Sequence, residues 1–319
     1  MAGDTYLTTN TTNFSDTVVA TVLKQVQVTL RGGLAFTPPG SIIPAVFSPG
    51  TGQSGTFIAA EYGDVPEGGA VILETGDSDP VVESMAVNVV TFDAHPYGRT
   101  VGVEKTAQER SPHNLIGIAA EKIAHDILVS VDNIPRTLYA AQAPVLFGGA
   151  SKSSIGSLAV GDKMTAGLLK DAVALLRATN VAPLTVNGRY SFVASPLMIR
   201  DLQEDTTYRE EMQFADPKTF LTGQVGVYAG CSIIDPGSRA IVKGGAGSGS
   251  VDVYYGCLIG QAACFAALAG LKVIPVIAPD HSDPLGRRSL FSWRGWLGGV
   301  LNTIQTERFI NIACVPSLA

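Results

Sequence analysis

The densest group of residues with chemically active side chains lies between positions 201 and 211. Arg200 and Arg209 accompany five carboxylates there: Asp201, Glu204, Asp205, Glu210 and Glu211. Clustered carboxylates can bind a divalent cation or carry out acid–base chemistry. A solvated surface, or an inter-subunit salt bridge made by the two arginines, explains the same charges without a catalytic centre. A cation-dependent hydrolase is the alternative that this cluster leaves open.

A glycine-rich string, Gly-Gly-Ala-Gly-Ser-Gly-Ser, occupies positions 244–250. Glycine-rich turns can direct backbone N–H groups at a phosphate, but a nucleotide-binding loop leads into a helix N-terminus and is usually followed by Lys-Ser or Lys-Thr. A strand-like segment follows here, so the pattern predicts a hairpin or flexible loop. The glycines concerned are Gly244, Gly245, Gly247 and Gly249.

Other residues that commonly carry catalysis or bind metals are scattered along the chain. The sequence has no Gly-x-Ser-x-Gly string, and its histidines lack the His-x-x-x-His and His-Glu-x-x-His spacings. The cysteines form no Cys-x-x-Cys pair, which favours buried free thiols over metal ligands or disulfides. These residues are His95, His113, His125, His281, Cys231, Cys257, Cys264 and Cys314. The sequence therefore predicts no catalytic residue, no metal site and no cofactor.

The last forty residues carry side chains that are typical of protein interfaces. Arg287 and Arg288 follow an acidic turn, and the strand-like segment after them contains Trp293 and Trp296. Arginine and tryptophan are enriched at interaction hot spots, although core filling explains the tryptophans equally well. The full set of candidate inter-subunit contacts is Asp77, Asp79, Arg200, Arg209, Arg287, Arg288, Trp293 and Trp296.

Composition favours burial in an assembly. Of 319 residues, 46% are hydrophobic and only 16% are charged, so the surface must be unusually neutral or covered by other copies. The net charge of −6 argues against general affinity for nucleic acid, which needs a dense Lys/Arg stripe. The N-terminus lacks the basic start and apolar run of a secretory signal. The most apolar stretch, 258–271, is shorter than a membrane span requires, so a buried helix is expected there.

Hydrophobic periodicity predicts a mixed α+β chain. A long helix is expected at 111–143, entered at Ser111-Pro112 and kinked or ended at Pro135. A second helix is expected at 165–180 and a short one after Ser195-Pro196. Further expected elements are a strand or short helix at 18–30, strands at 56–60, 81–90, 100–103, 190–194, 225–228, 232–234, 240–243, 251–255 and 273–277, a buried helix at 258–269, and a sheet-forming tail from 289.

The order of these parts resembles the major capsid proteins of tailed bacteriophages, with the Hong Kong 97-type fold. The resemblance covers roughly residues 50 to 319. It is carried by Tyr-Ser-Phe-Val-Ala-Ser-Pro-Leu at 190–197 with Arg-Asp-Leu at 200–202, Gly-Gln-Val-Gly-Val-Tyr-Ala-Gly-Cys at 223–231, and Asp-Pro-Leu-Gly-Arg-Arg at 283–288 with Trp293. It implies an N-terminal arm at 1–50, an extended β-hairpin E-loop at 51–104, a spine helix and peripheral domain at 105–220, an axial domain at 221–280, and a C-terminal segment at 281–319 that returns to the peripheral domain.

The resemblance further implies a structural subunit without catalytic activity. Copies would form hexamers and pentamers and close an icosahedral shell around the phage genome, with the 244–250 loop near the capsomer axis. Scaffold and portal proteins, and in some cases a decoration protein, would be its partners; packaged DNA would be enclosed without sequence-specific binding, and no membrane is involved. The protein would be made in the host cytoplasm and reside in the virion.

Two departures from the family pattern carry further expectations. Some members weld their shells through an E-loop lysine, but residues 51–104 contain no lysine, so a non-covalent shell is expected. The chain ahead of the E-loop is short, so a separate scaffold or a small arm must direct curvature. An encapsulin-like nanocompartment, which holds cargo enzymes inside a shell of the same fold, is the alternative within this fold.

Overall fold

The computed structural model describes residues 34–44, 46–47, 56–62, 87–149, 151–184, 188–215, 226–276, 287–302 and 308–318. The element expected at 18–30, the start of the strand expected at 81–90, and Asp77 and Asp79 lie outside the described residues. Within them the chain is a mixture of strands and helices, as the sequence predicts.

Fourteen strands are present in the described part of the chain. They are β1 (Ile42–Pro44), β2 (Val46–Phe47), β3 (Thr56–Tyr62), β4 (Val87–Asp93), β5 (His95–Glu104), β6 (Leu146–Phe147), β7 (Tyr190–Val193), β8 (Val227–Tyr228), β9 (Cys231–Ile234), β10 (Ile241–Lys243), β11 (Val253–Ile259), β12 (Cys264–Val276), β13 (Arg288–Leu301) and β14 (Phe309–Cys314). The helices are α1 (Lys105–Arg110), α2 (Leu115–Ala141), α3 (Ala166–Ala178), α4 (Pro196–Glu204) and α5 (Thr206–Ala215), with 3-10 turns at Ile155–Ser157 and Gly237–Arg239.

Helix α2 is the long helix that the sequence predicts, but its start differs. Asn114 caps it, because its side-chain oxygen accepts a hydrogen bond from the N–H of Gly117 at 3.2 Å. Ser111 instead ends α1 and accepts from the N–H of His113. The helix continues through Pro135, so the ladder loses one donor there without ending. Among the described residues, no helix combines the length and apolarity needed to cross a membrane.

A four-stranded sheet, here called the long sheet, lies against α2. Its strand order is β1-β12-β13-β5, and β13 pairs antiparallel with β12 on one side and with all ten residues of β5 on the other. The buried face of α2 contributes Ile123 and Ile127, which pack in one cluster with Phe291 and Trp293 of β13. Burial of this apolar stripe on the sheet is what stabilises a helix of this length.

The buried helix expected at 258–269 is wrong. This segment forms the end of β11, a turn, and the start of β12; Ala262 in the turn has a left-handed φ of 56°. Leu258 pairs with Phe192 and Ile310, whereas Phe265 pairs with Val300 in the other sheet. A continuous apolar run is compatible with a buried helix or with buried strands, and here two sheets supply partners for strands.

A second sheet, here called the mixed sheet, forms the other half of the described structure. Its order is β6-β14-β11-β7-β9-β8, with β10 also paired to β11. Helices α3 and α4 pack on it through residues such as Leu169, Met198 and Leu202, which are fully buried against Phe192. The predicted entry of α4 is confirmed, because the side chain of Ser195 accepts from the N–H of Met198 and Pro196 occupies the first turn.

Strands β2, β3 and β4 form a separate three-stranded ribbon. Phe57 and Phe92 of the ribbon pack with Phe265 of the long sheet. Strands β3 and β4 lie within the 51–104 segment that was predicted to be an E-loop, whereas β5 of the same segment belongs to the long sheet. The sheets also cross the expected limits at 220 and 280: β7 pairs with β9 and β11, and β12 pairs with β13.

Candidate functional site

The carboxylates between 201 and 211 do not face a common point. Asp201 is fully buried and accepts hydrogen bonds from the N–H and the hydroxyl of Ser317, so it holds the C-terminal residues on α4. Asp205 accepts from the N–H of Ala166 at 2.8 Å and so satisfies a donor at the start of α3. These two acids have structural hydrogen bonds, and neither is available to a bound cation.

The remaining acids of this stretch lie at the surface. Glu204 pairs with Arg200 at 2.6 Å, one helical turn away, and Glu210 is exposed. Glu211 accepts from Lys170 and from the hydroxyl of Tyr228, and the Lys170 bond, with the Tyr228 bond second, lowers the pKa of Glu211. Within the described residues, no group of three His, Cys, Asp or Glu side chains converges as a metal site. Glu204, Glu210 and Glu211 therefore fit the solvated, ion-paired interpretation, whereas Asp201 and Asp205 make structural hydrogen bonds.

Burial and the carboxylate partner together raise the pKa of Tyr228 to about 12. Burial is the larger cause, and the hydrogen bond to Glu211 adds to it. A phenol that titrates so high is no general base near neutral pH. The hydrogen bonds among Lys170, Glu211 and Tyr228 join α3, α5 and β8.

The glycine-rich segment at 244–250 is a turn between β10 and β11, which confirms the predicted hairpin. Its backbone donors are engaged within the protein. The N–H of Gly245 donates to Oδ1 of Asp252 at 2.8 Å, that of Gly247 to the carbonyl of Val251, and that of Ser248 to the carbonyl of Leu158 at 2.7 Å. A phosphate would have to displace these bonds, so the segment is not a nucleotide cradle.

All four cysteines are free and buried, as predicted. Burial raises the pKa of Cys264 to about 11 and those of Cys231 and Cys314 to about 12; it raises that of Cys257 still further. The thiolate is the form that attacks substrates and binds metals. These cysteines therefore pack as small apolar residues.

The two tryptophans of β13 have opposite environments. Trp293 is 3% exposed, packs under α2 and donates its indole N–H to Oδ2 of Asp126 at 2.7 Å. It fills the core, so its assignment as an inter-subunit contact is wrong. Trp296, three residues later, is 44% exposed on the other face of the long sheet. It remains a candidate contact.

Among the described residues, little covers the face of the long sheet opposite α2 over much of its length. Side chains alternate along β13, so Arg288, Leu290, Arg294 and Trp296 point away from the helix. Register with β12 places Lys272 opposite Arg294 and Ile274 opposite Ser292 on that same face. We call the set Lys272, Ile274, Arg288, Leu290, Arg294 and Trp296 the open face.

The open face combines apolar and cationic groups. Trp296 and Ile274 are 44% and 37% exposed, and the side chains of Lys272, Arg288 and Arg294 are exposed beside them. Glu104, opposite Arg288 on β5, forms an ion pair with it, with 4.0 Å between Nε of Arg288 and Oε1 of Glu104. Sequence reasoning found Arg288 and Trp296 but missed Arg294 and Lys272. The two-residue spacing of Arg294 and Trp296 was the available signal, because it puts both on one face of a strand.

The other candidate contact residues are spread over the surface. Arg200 sits on α4 beside Glu204 and Ser317. Arg209 is exposed on α5, and Arg287 is exposed at the start of β13, where its carbonyl accepts from the N–H of Lys105. The structure thus brings Arg288 and Trp296 to one face and leaves Arg200 and Arg209 on the mixed-sheet half.

Comparison with known proteins was made at the levels of sequence and of structure. No protein-family model and no curated protein sequence matches the chain. Solved phage capsid structures match most of it. The capsid of Ralstonia phage GP4 has a TM-score of 0.62 at 14% identity over 82% of this chain and 84% of that one. The capsid of the cyanophage P-SCSP1u has a TM-score of 0.57 at 12% identity over 86% of each chain, and that of the cyanophage Pam1 0.56 at 16% identity over 82% and 85%.

These identities are too low to transfer residue roles, but the agreement spans more than four-fifths of the chain on both sides. The matching structures include capsids of phages that infect different hosts. The chain therefore has the Hong Kong 97-type fold of the tailed-phage major capsid proteins.

Proposed function

We propose that this chain is the major capsid protein of a tailed phage, and that copies of it assemble as hexamers and pentamers into an icosahedral shell around the genome. The observation that carries this proposal is the extent of the structural match, which takes in more than four-fifths of this chain and of each of the three capsid proteins. Almost the whole chain therefore corresponds to a capsid subunit.

The surface chemistry supports self-assembly. Only 16% of the residues are charged, and the open face exposes a half-buried tryptophan beside aliphatic side chains. Large aromatic side chains that are left partly exposed are typical anchors of protein interfaces. In a closed shell the same patch recurs on every copy, so modest pairwise contacts are multiplied.

The charge pattern supports a particular contact between copies. Residues 51–98 contain no lysine or arginine and eight carboxylates: Glu61, Asp64, Glu67, Glu74, Asp77, Asp79, Glu83 and Asp93. The open face carries three cations. The part of this acidic segment between β3 and β4, with Asp77 and Asp79 as contact residues, lies on the open face of the next copy. Complementary charge of this kind selects partner and register more than it adds affinity.

The strand pairing supports a regrouping of the segments. In the shell, α2 with the long sheet forms the peripheral part, and the mixed sheet with α3, α4 and α5 forms the axial part. The axial part then includes β7 and β14 as well as the segment expected at 221–280, because these strands share one sheet with β9 and β11. The turn at 244–250 belongs to the same sheet, which suits a position near the capsomer axis.

The subunit acts without catalysis, and it encloses DNA without gripping it. Scaffold and portal proteins direct its assembly in the host cytoplasm, and a decoration protein is a further partner in some shells of this kind. The acids that a hydrolase would need are engaged in caps, tail contacts and surface ion pairs. An overall charge of −6 opposes strong phosphate contacts on the wall.

Negative-stain electron microscopy with light scattering tests the proposal. The protein is expressed alone and together with the neighbouring scaffold gene, and particle mass and shape are measured. Closed shells or rings of five and six support the proposal, and nuclease-protected DNA inside separates a virion shell from a compartment filled with protein cargo. A homogeneous monomer in the presence of the scaffold would overturn it.

A further inference from the structure

A buried carboxylate in the middle of α2 joins three parts of the chain that are distant in sequence. Asp132 is 1% exposed. It accepts hydrogen bonds from the N–H of Phe36 at 2.8 Å and the hydroxyl of Thr37 at 3.2 Å, and its other oxygen pairs with Arg239 at 2.6 Å. We propose that Asp132 is a latch that couples docking of residues 34–38, here called the strap, to the position of the turn Gly237–Arg239.

Within the described residues, the polar contacts between the strap and α2 converge on Asp132. Ala35 and Phe36 are buried, and Phe36 packs in the same cluster as Tyr139 of α2. Residues that follow the strap continue into β1, which adds to the edge of the long sheet. The strap is therefore an irregular segment held by apolar burial and by one carboxylate.

The turn is held by the same part of α2. Arg136, four residues after Asp132, donates from Nε to the carbonyl of Arg239 at 2.7 Å and from Nη2 to that of Ala240 at 3.3 Å. Its Nη1 donates to Asn133 of its own helix at 2.9 Å. Asp132 thus binds the side chain of Arg239, and Arg136 binds its backbone carbonyl. The other oxygen of Asp132 binds the strap.

The coupling follows from the energetics of a buried charge. A carboxylate removed from water is strongly destabilising when a partner of opposite charge is lost, because the remaining neutral donors do not replace hydration. Withdrawal of Arg239 therefore favours opening of the strap, which lets water reach Asp132. Coupling of this kind is reciprocal, so release of the strap must loosen the turn by the same free energy. Pro135 lies within this region of α2 and lacks a backbone N–H, so one helical hydrogen bond is missing there. The contacts of Asp132 and Arg136 therefore also stabilise this turn of the helix.

Through the latch, a movement of the turn, which leads into β10 of the mixed sheet, changes how firmly the strap is held on α2. It does not depend on the assembly proposed above. The conformational role of Asp132 and Arg239 is independent of the match to capsid folds and of the open face.

Hydrogen exchange on the purified full-length protein tests the latch. The variants are Arg239→Gln, Asp132→Asn and the double variant. Arg99→Gln is the matched control, because it removes an exposed ion pair between β5 and Asp126 of the same helix α2. Arg239→Gln is expected to speed exchange of the strap amides, those of residues 34–37, by roughly tenfold or more. Arg99→Gln should leave them unchanged.

The double variant separates coupling from a general loss of structure. Without the charge at position 132, Arg239 is no longer needed to hold the strap, so the double variant should exchange at 34–38 more slowly than Arg239→Gln alone. Amides of β11 provide the internal reference for global stability. Arg239→Lys, which keeps the charge but not the fork, gives the same test with a smaller effect if Arg239→Gln does not fold. Equal strap exchange in Arg239→Gln and Arg99→Gln, or no rescue in the double variant, would overturn the proposal.

Discussion

The indole N–H of Trp293 donates to Oδ2 of Asp126 at 2.7 Å, while Arg99 donates to the other oxygen of the same carboxylate at 2.7 Å. Trp293 belongs to β13, Arg99 to β5 and Asp126 to α2. One side chain of the helix therefore ties down two adjacent strands of the long sheet. The apolar cluster around Trp293 sets how the helix lies on the sheet, and the exposed bond from Arg99 adds little to its stability.

Trp293 and Trp296 are expected to respond differently to substitution. Trp293→Phe keeps an aromatic ring but removes the bond to a charged partner, so the subunit should lose about 1.5–3 kcal/mol of unfolding free energy. Trp296→Ala should leave subunit stability within about 1 kcal/mol and reduce assembly, because that ring is half exposed. Chemical denaturation and light scattering measure the two effects. A loss of subunit stability at 296 as large as at 293 would contradict this assignment.

Charge reversal on the open face should block assembly. In the contact proposed above, the new acidic side chains of Arg288→Glu/Arg294→Glu would face the acidic segment of the next copy, and like charges at an interface are strongly unfavourable. Because the contact is repeated around each ring, the yield of particles should fall roughly tenfold or more. Particle yield by light scattering is the readout, with Arg99→Gln as the control.

Compensating reversal identifies the partner of the open face. Asp77→Lys/Asp79→Lys introduced into the charge-reversed protein should restore particles, and introduced alone should impair them. If adding Asp77→Lys/Asp79→Lys to the charge-reversed protein did not change the particle yield, the open face would contact a different surface.

Acidification should strengthen the region around Asp132. Burial raises the pKa of its carboxyl above the usual 3.8, and this outweighs the hydrogen bond from Phe36 and the attraction of Arg239. A group whose pKa is raised by folding binds more protons in the folded state. Its contribution to stability is therefore complete below pH 3.8 and is lost as the pH rises through the raised folded pKa.

The unfolding free energies of the wild type and of Asp132→Asn measure this effect, since other titrating groups cancel in the comparison. The unfolding free energy of the wild type should increase relative to that of Asp132→Asn as the pH is lowered from 7 towards 4. A loss instead would show that Arg239 dominates and holds the pKa of Asp132 below its usual value.

The shell should be held by non-covalent contacts. Residues 51–104 offer no lysine for an isopeptide bond to another copy. Assembled particles boiled in denaturing detergent should therefore run as a single band of subunit mass on electrophoresis. A ladder of multimers that survives boiling would show that a lysine elsewhere in the chain forms the cross-link.

Several local elements could be predicted because short-range signals specify them. The apolar stripe of α2, the Ser195-Pro196 entry of α4 and the hairpin after β10 each depend on residues close in sequence, and each is present. The helix expected at 258–269 failed for the opposite reason. Its apolar run carries no period that excludes a strand, so the partners Phe192 and Val300, distant in sequence, decide its conformation.

The candidate contacts show the same division. The sequence by itself determined which residue types were present: two tryptophans at 293 and 296, an acidic segment without lysine or arginine, and a charged fraction of only 16%. Only the tertiary structure decided which of them reach the surface. Trp293 and Trp296 are three positions apart, so they point to opposite faces of one strand, and α2 covers one face and not the other. Burial is a property of the neighbours that long-range packing brings, and those neighbours are set by strand register and not by local sequence.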